Sequence, residues 1–416
     1  MLRLSGSQSS FWAPGADSGM KCLVCVLEFP TWELAKPWSF ISGYSFVDAL
    51  RVLGHDVEVA ALTYQLDPAA LTNVLRAHQR KRKTFDCIFF WFPHLEYSQE
   101  FWAVARALSR RRVAVLIESL SYTEAEIVEL PHLANRRRGV ISQLKHCTHA
   151  LTFDYQDFRD LTRNGFASFW TPGIVPTPPT GTIIQFADKS KGLSAAGTIY
   201  GGRRTIHGEL VGRGLLDPNE RLQHSPSLVN QFERLISATA STCSDGEASP
   251  EELSSLGEQL LTVRRSLWYE YLRYLSQFIG VISLPAFFKG LPGRVFEAML
   301  ARCAVFVVES ADLSRHKSVF ENEQHLYYLS KDLTQADIDK IFRVASETSS
   351  RAEVTARALE RALDQCGADV IVERVLNWVT MERTSAPSLL RRVSQRAGLL
   401  IASPPRYYSE LSYEAS

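Results

Sequence analysis

Between residues 280 and 310 a short apolar run, 281–284, gives way to Lys289, Gly290, Pro292, Gly293, Arg294 and Glu297. The run reads as a strand, and a helix is expected from about Arg294. Parallel sheets bind ligands in the loops beyond the carboxyl ends of their strands. Two glycines let a backbone approach closely, and a helix N-terminus offers N–H groups and the positive end of a dipole. That chemistry suits a diphosphate. Val295, Phe296, Met299 and Leu300 supply the apolar stripe of this helix, which leaves Glu297, expected in its first turn, able to face a ligand and accept two hydroxyls of a ribose. Glu297 could equally serve the helix dipole alone, an effect of about 0.3–1 kcal/mol. The segment by itself leaves both readings open.

Other residues stand at the ends of expected strands. His94 and Glu96 follow the run 85–92, where a base for an acceptor hydroxyl would sit; a histidine titrates in the range such a proton transfer needs. Glu118 and Asp154 follow the runs 113–117 and 150–153 in the same way. Each could instead cap a loop. Gly43 precedes the first helix and would let the first loop approach a ligand, or serve as a turn glycine. Cys22 and Cys25 have half the spacing of a metal motif but lie inside a strand, where residues three apart face opposite sides, so no zinc site is expected. The basic runs 80–83, 110–112 and 136–138 read as solvated faces, with contact to an anionic acceptor or membrane surface as the alternative.

The elements that must position these groups alternate. Strands are expected at 21–29, 57–62, 85–92, 113–117 and 150–153, with helices at 44–53, closed by Gly54, and at 99–109. The segment 171–181 carries four prolines, which suits an extended, semi-rigid connection. A second alternation has strands at 193–199, 280–284 and 304–308 and helices at 205–213 and 294–301. Residues 237–250 read as a Ser/Thr/Gly-rich loop, 251–278 as strongly helical and 338–363 as one further helical run. Strands alternating with helices imply parallel sheets covered on both faces.

Lys and Arg total 46 against 45 Asp and Glu, and the resulting +1 argues against a nucleic-acid partner. No apolar run approaches the roughly 20 residues that span a bilayer. Seven irregularly spaced cysteines point to a reducing, cytoplasmic setting. Residues 1–19, rich in Ser and Gly, read as a flexible extension and make a poor signal peptide.

The stretch from Gly293 to Ala304, Gly-Arg-Val-Phe-Glu-Ala-Met-Leu-Ala-Arg-Cys-Ala, resembles the R-x-F-E-A-M-A-x-G-A segment of GT-B glycosyltransferases, and within them the spore-maturation-protein-like group. Gly197-Thr198-Ile199-Tyr200-Gly201-Gly202-Arg203-Arg204 looks like the G-x-x-Y-x-x-R turn that opens the family's C-terminal domain. Residues 45–59 are similar to its first helix and second strand, and 321–332 to its acidic, tyrosine-containing segment. The resemblance spans about 21–332.

It implies an α/β, GT-B-like fold of two Rossmann-like domains, their parallel sheets facing a cleft. The N-terminal, acceptor-side domain would be 20–180; the C-terminal, nucleotide-sugar-binding domain 181–383, with a helical insertion at about 225–278; and 384–416 a tail. By position, Glu297 would bind the ribose, Gly290, Gly293 and Arg294 would cradle the diphosphate or sugar, and Arg203 or Arg204 would neutralise phosphate. Retaining members carry a second Glu eight positions before the first, touching the transferred sugar; here that residue is Lys289, so stereochemistry is open and a phosphate or acidic sugar is its expected partner. The implied activity is transfer of a sugar from a nucleotide sugar to an acceptor, with no cofactor or metal required. The rivals are an inactive GT-B-like binding or assembly subunit and a sugar-nucleotide epimerase on the same fold.

Overall fold

Continuous apolar runs mark the strands, as parallel strands covered on both faces require. The computed structural model describes residues 19–28, 42–63, 66–92, 97–176, 188–195, 202–220, 222–285, 289–309 and 313–381. In the N-terminal half the order is β1 (Lys21–Glu28), α1 (Ser42–Val52), β2 (Asp56–Thr63), α2 (Pro68–Arg80), β3 (Cys87–Phe92), α3 (Gln99–Leu108), β4 (Arg112–Leu116), α4 (Glu124–Glu129), α5 (His132–Leu144), β5 (His149–Thr152), α6 (Tyr155–Arg163) and β6 (Ser168–Trp170). The strands form one parallel sheet in the order β2-β1-β3-β4-β5-β6. Cys22, Val24 and Val26 face one core and Leu23 and Cys25 the other, so the two cysteines do point apart.

The C-terminal half runs β7 (Lys191–Ser194), α7 (Gly202–Gly212), α8 (Pro226–Asp245), α9 (Pro250–Ser276), β8 (Phe278–Ser283), α10 (Gly293–Leu300), β9 (Ala304–Val308), α11 (Ser314–Lys317), β10 (Tyr327–Leu329), α12 (Gln335–Ser346), α13 (Thr348–Cys366) and α14 (Ala368–Met381). Its sheet is also parallel, in the order β10-β9-β8-β7. Leu193 of β7 pairs with Leu216 on one side and Gly280 of β8 on the other. Each sheet therefore has a point where the winding reverses, between β1 and β3 in the first and between β7 and β8 in the second. The crevice at the carboxyl ends of such a strand pair is where open α/β sheets take ligands.

Three expectations are corrected. The stretch 237–250 is not a loop: α8 continues to Asp245 and ends at Gly246, whose φ of 73° closes it. Its hydroxyls are absorbed by the helix and its packing, Thr239 donating to the Leu235 carbonyl at 2.8 Å beside buried Ile236 and Cys243. The single run 338–363 is two helices, broken at Glu347, where Arg351 donates to the otherwise open carbonyls of Val344 and Ala345 at 3.2 and 2.5 Å. Gly43 lies inside α1, not in a loop before it.

α9 is the element that joins the halves. Pro250 at its first position and a reciprocal Ser249–Glu252 capping box start it. Gly257 then passes so close to β2 that a Cβ would stand 2.8 Å from the Val59 carbonyl. Its later turns, with Trp268, Tyr271 and Leu275, share one core with Val295, Phe296 and Met299 of α10. The insertion thus packs on both sheets. The chain also returns to the first half through α14, whose Trp378 ring lies 4.8 Å from His149 and 5.5 Å from Phe169. The described part of the Pro-rich connection is stitched down: Val175 accepts from Ala368 and donates to Cys366 at 3.1 and 2.7 Å. Among the described residues no helix is long and apolar enough to cross a membrane.

Candidate functional site

β8 delivers the chain to the reversal point of the second sheet, and α10 leaves from it. Pro292 occupies the N-cap with extended backbone and no side-chain cap, so the first-turn N–H groups of α10 have no side chain of their own N-cap as partner. Gly293 is exposed, with nothing within 4 Å of where a Cβ would sit; Arg294 is half-buried and Gly290 buried. Glu297 is the fifth residue of α10, not part of its first turn, and is only 1% exposed. This corrects the expectation that Glu297 lies in the first turn of the helix. In this state it is covered, and the Trp268 indole N–H of α9 donates to its Oε1 at 3.2 Å. Burial, reinforced by the Glu297 charge and opposed by Arg294, pushes the neighbouring Tyr271 hydroxyl well above its ordinary range.

Lys289 reaches across to the N-terminal half. Its Nζ lies 2.8 Å from Glu126 Oε2, and its backbone N–H donates to Ser119 Oγ at 2.7 Å. Ser119 in turn donates to Asp154 at 2.5 Å, and Asp154 caps α6 through the Gln156 N–H at 2.7 Å. Glu126 belongs to the capping box of α4 with Thr123. Against the opposing effect of burial, Lys289 and Thr123 hold its carboxyl below the usual range. Asp157 accepts from the Leu120 N–H at 2.7 Å. Burial first, and then the adjacent Asp154, raise Asp157 to about 8; burial raises Asp154 as well. Glu118 pairs with Arg136. Of the strand-end carboxylates, Asp154 and Glu118 therefore have local partners.

The two candidate arginines differ. Arg203 is 3% exposed, its Nε donating to the Pro285 carbonyl just beyond β8, whereas Arg204 is exposed. Arg203 thus stands at the reversal point of the second sheet, beside the segment that leads to Lys289. Gly43 is buried where a Cβ would lie 3.0 Å from Val26 and 3.5 Å from Trp91, so close packing accounts for it. His94 and Glu96 lie outside the described residues.

Sequence reasoning missed the first sheet's own buried charge. Glu28 ends β1 at that sheet's reversal point, fully buried. Tyr44 of α1 donates to it, and Arg264 of α9 donates to Oε2 through Nε at 2.9 Å and Nη2 at 2.5 Å, its guanidinium 4.3 Å over the Phe232 ring. A carboxylate closing an otherwise apolar strand was the available signal. Its partner, 236 residues away, carried none.

No protein-family model matches the chain, and no curated protein matches it in sequence. Solved structures do. An alpha-glucosyltransferase in complex with UDP and a 13-mer DNA containing a HMU base is similar at a TM-score of 0.51 and 10% identity, covering 87% of this chain and 100% of that one. Sucrose-phosphate synthase from Thermosynechococcus elongatus is similar at 0.50 and 12% identity, covering 92% and 100%. These likenesses are of fold, and the fold is the GT-B-like pair of Rossmann-like domains expected from the sequence.

Proposed function

We propose that this chain transfers a sugar from a nucleotide sugar to an acceptor, with the donor held mainly by the C-terminal half. The observation that carries the reading is the start of α10, with Gly290, Gly293 and Arg294 and no side-chain cap, following the reversal point of the second sheet, where Arg203 is bonded to the Pro285 carbonyl just beyond β8. Backbone N–H groups, a helix dipole and guanidinium groups at one place favour a diphosphate. Glu297, one turn on, is the ribose acceptor in this reading, and the donor reaches it when its covering moves aside. Catalysis would then rest on positioning and on stabilising the departing diphosphate. The motif at 293–304 supports the spore-maturation-protein-like group as its branch, and the UDP bound by the similar alpha-glucosyltransferase makes UDP the first nucleotide to try. His94 or Glu96 is the proposed acceptor-side base, and no metal enters the reading. A net charge of +1 favours a small-molecule, glycan or protein acceptor over a nucleic acid.

A second reading, a binding or assembly subunit without turnover, is favoured by one feature: Lys289 spends its charge on Glu126. Thermal shifts with UDP and UDP-glucose, followed by release of glucose or its transfer, separate the two. A ligand at 100 times its dissociation constant stabilises by about 2.7 kcal/mol. Glu297→Ala should weaken UDP tenfold or more, because a hydrogen bond to a charged group contributes about 1.5–3 kcal/mol. UDP bound equally well by folded Glu297→Ala removes the ribose role; stabilisation without any turnover supports the subunit reading.

A further inference from the structure

A glutamate side chain ends in a broad, nearly two-fold torsion, so a helix that carries one does not fix the plane of its carboxylate. In α10 that plane has an external reference. The Trp268 indole N–H holds Glu297 Oε1 at 3.2 Å, from a ring that is itself almost completely buried. We propose that Trp268 is a positioning residue for the nucleotide site: it sets the carboxylate of Glu297 in the orientation that receives the ribose hydroxyls. The inference rests on the ribose role given to Glu297 above.

Trp268 does not belong to the sheet that carries α10. It sits on α9, one turn beyond residues that tie this helix to the N-terminal half. Arg264 is bonded to Glu28 at the end of β1. Arg265 is bonded to both oxygens of Asp48 at 2.7 and 2.8 Å. Glu258, two turns before Arg265, receives Arg51 at 3.0 Å. These contacts fix the height and rotation of α9, and the indole inherits both. The carboxylate of Glu297 is thereby oriented by a helix that is also anchored on the elements of the N-terminal half.

A tryptophan that merely filled the core would show the same burial, so the test must read ribose recognition and not stability. Affinities of the full chain for UDP and for 2′,3′-dideoxy-UDP are measured for the wild type, Trp268→Phe and Glu297→Ala. The wild type is expected to prefer UDP about tenfold, which corresponds to about 1.4 kcal/mol. Trp268→Phe keeps the aromatic slab and removes the N–H; the preference should shrink at least threefold while dideoxy-UDP binds as before. Trp268→Leu is read in its place if the phenylalanine variant lacks the wild-type circular dichroism. A variant that weakens both ligands equally, or one that keeps the full preference, overturns the positioning role. Wild-type protein that binds UDP without preferring it to the dideoxy form overturns the ribose role of Glu297 itself, a different result.

Discussion

Arg203 and Arg204 are neighbours in sequence with opposite fates. A buried guanidinium on a backbone carbonyl is held by the fold, and its loss strands that carbonyl, at a cost of about 1–3 kcal/mol. Arg203→Ala should therefore lower urea stability by that amount, while Arg204→Ala, at an exposed position, should stay within about 0.5 kcal/mol. Their ligand effects need a separate comparison. Whichever arginine meets phosphate should, on truncation, weaken UDP far more than uridine; equal losses for both ligands would remove that arginine from the phosphate site. The glutamate one turn along α10 makes the same point. Its chemistry was readable from type and spacing, but its burial and its bond to the Trp268 indole were settled by tertiary packing, which no local pattern announces.

Some helices whose signals are local were readable. Helices were expected at 99–109 and 251–278, and the structure has α3 and α9 there; α2 was not expected, although Asp67 and Pro68 at its start are local signals of the same kind. α8 was not readable, since its serines and threonines favour loops until a packed surface covers one face of the helix. α9 is the element with most at stake, because the buried Glu28–Arg264 pair ties it to β1. Removing one partner of a buried pair leaves an uncompensated charge and costs about 3–5 kcal/mol. Glu28→Met and Arg264→Met should each approach that loss in urea denaturation. Glu28→Met combined with Arg264→Met should lose clearly less than the sum of its singles. Additive losses would mean that the two side chains act on separate parts of the fold.

Across the whole molecule, Lys289 fastens the loop before α10 to α4 and to the segment between β4 and α4. Its ammonium meets Glu126 and its backbone meets Ser119, which leans on Asp154. The two halves are therefore linked at the mouth of the candidate site as well as through α9 and α14. A double-mutant cycle on Lys289→Ala and Glu126→Ala should give a coupling of about 0.5–3 kcal/mol, and exchanging the charges, Lys289→Glu with Glu126→Lys, should restore stability that Lys289→Glu alone loses. A coupling of zero would show that the pair does not bind the halves together. Lys289→Glu alone also presents a negative charge to the loop proposed for the diphosphate, so weaker UDP binding is expected from it. UDP binding that survives in that variant would take Lys289 out of the phosphate site.

The alternation of strands and helices, both parallel sheets and the loop with its two glycines followed by a helix were determined by the sequence alone. Each depends on φ/ψ preferences and on periodicities of two or 3.6 residues, which act over a few neighbours. What only the tertiary structure decided is which charges are spent on holding the fold. Lys289 finds Glu126 163 residues away and Arg264 finds Glu28 236 away. Trp268 reaches Glu297 from a different helix. Those partners are chosen by the packing of two sheets around a shared helix. The low dielectric created by that packing then makes pairing a buried charge far more favourable than leaving it alone.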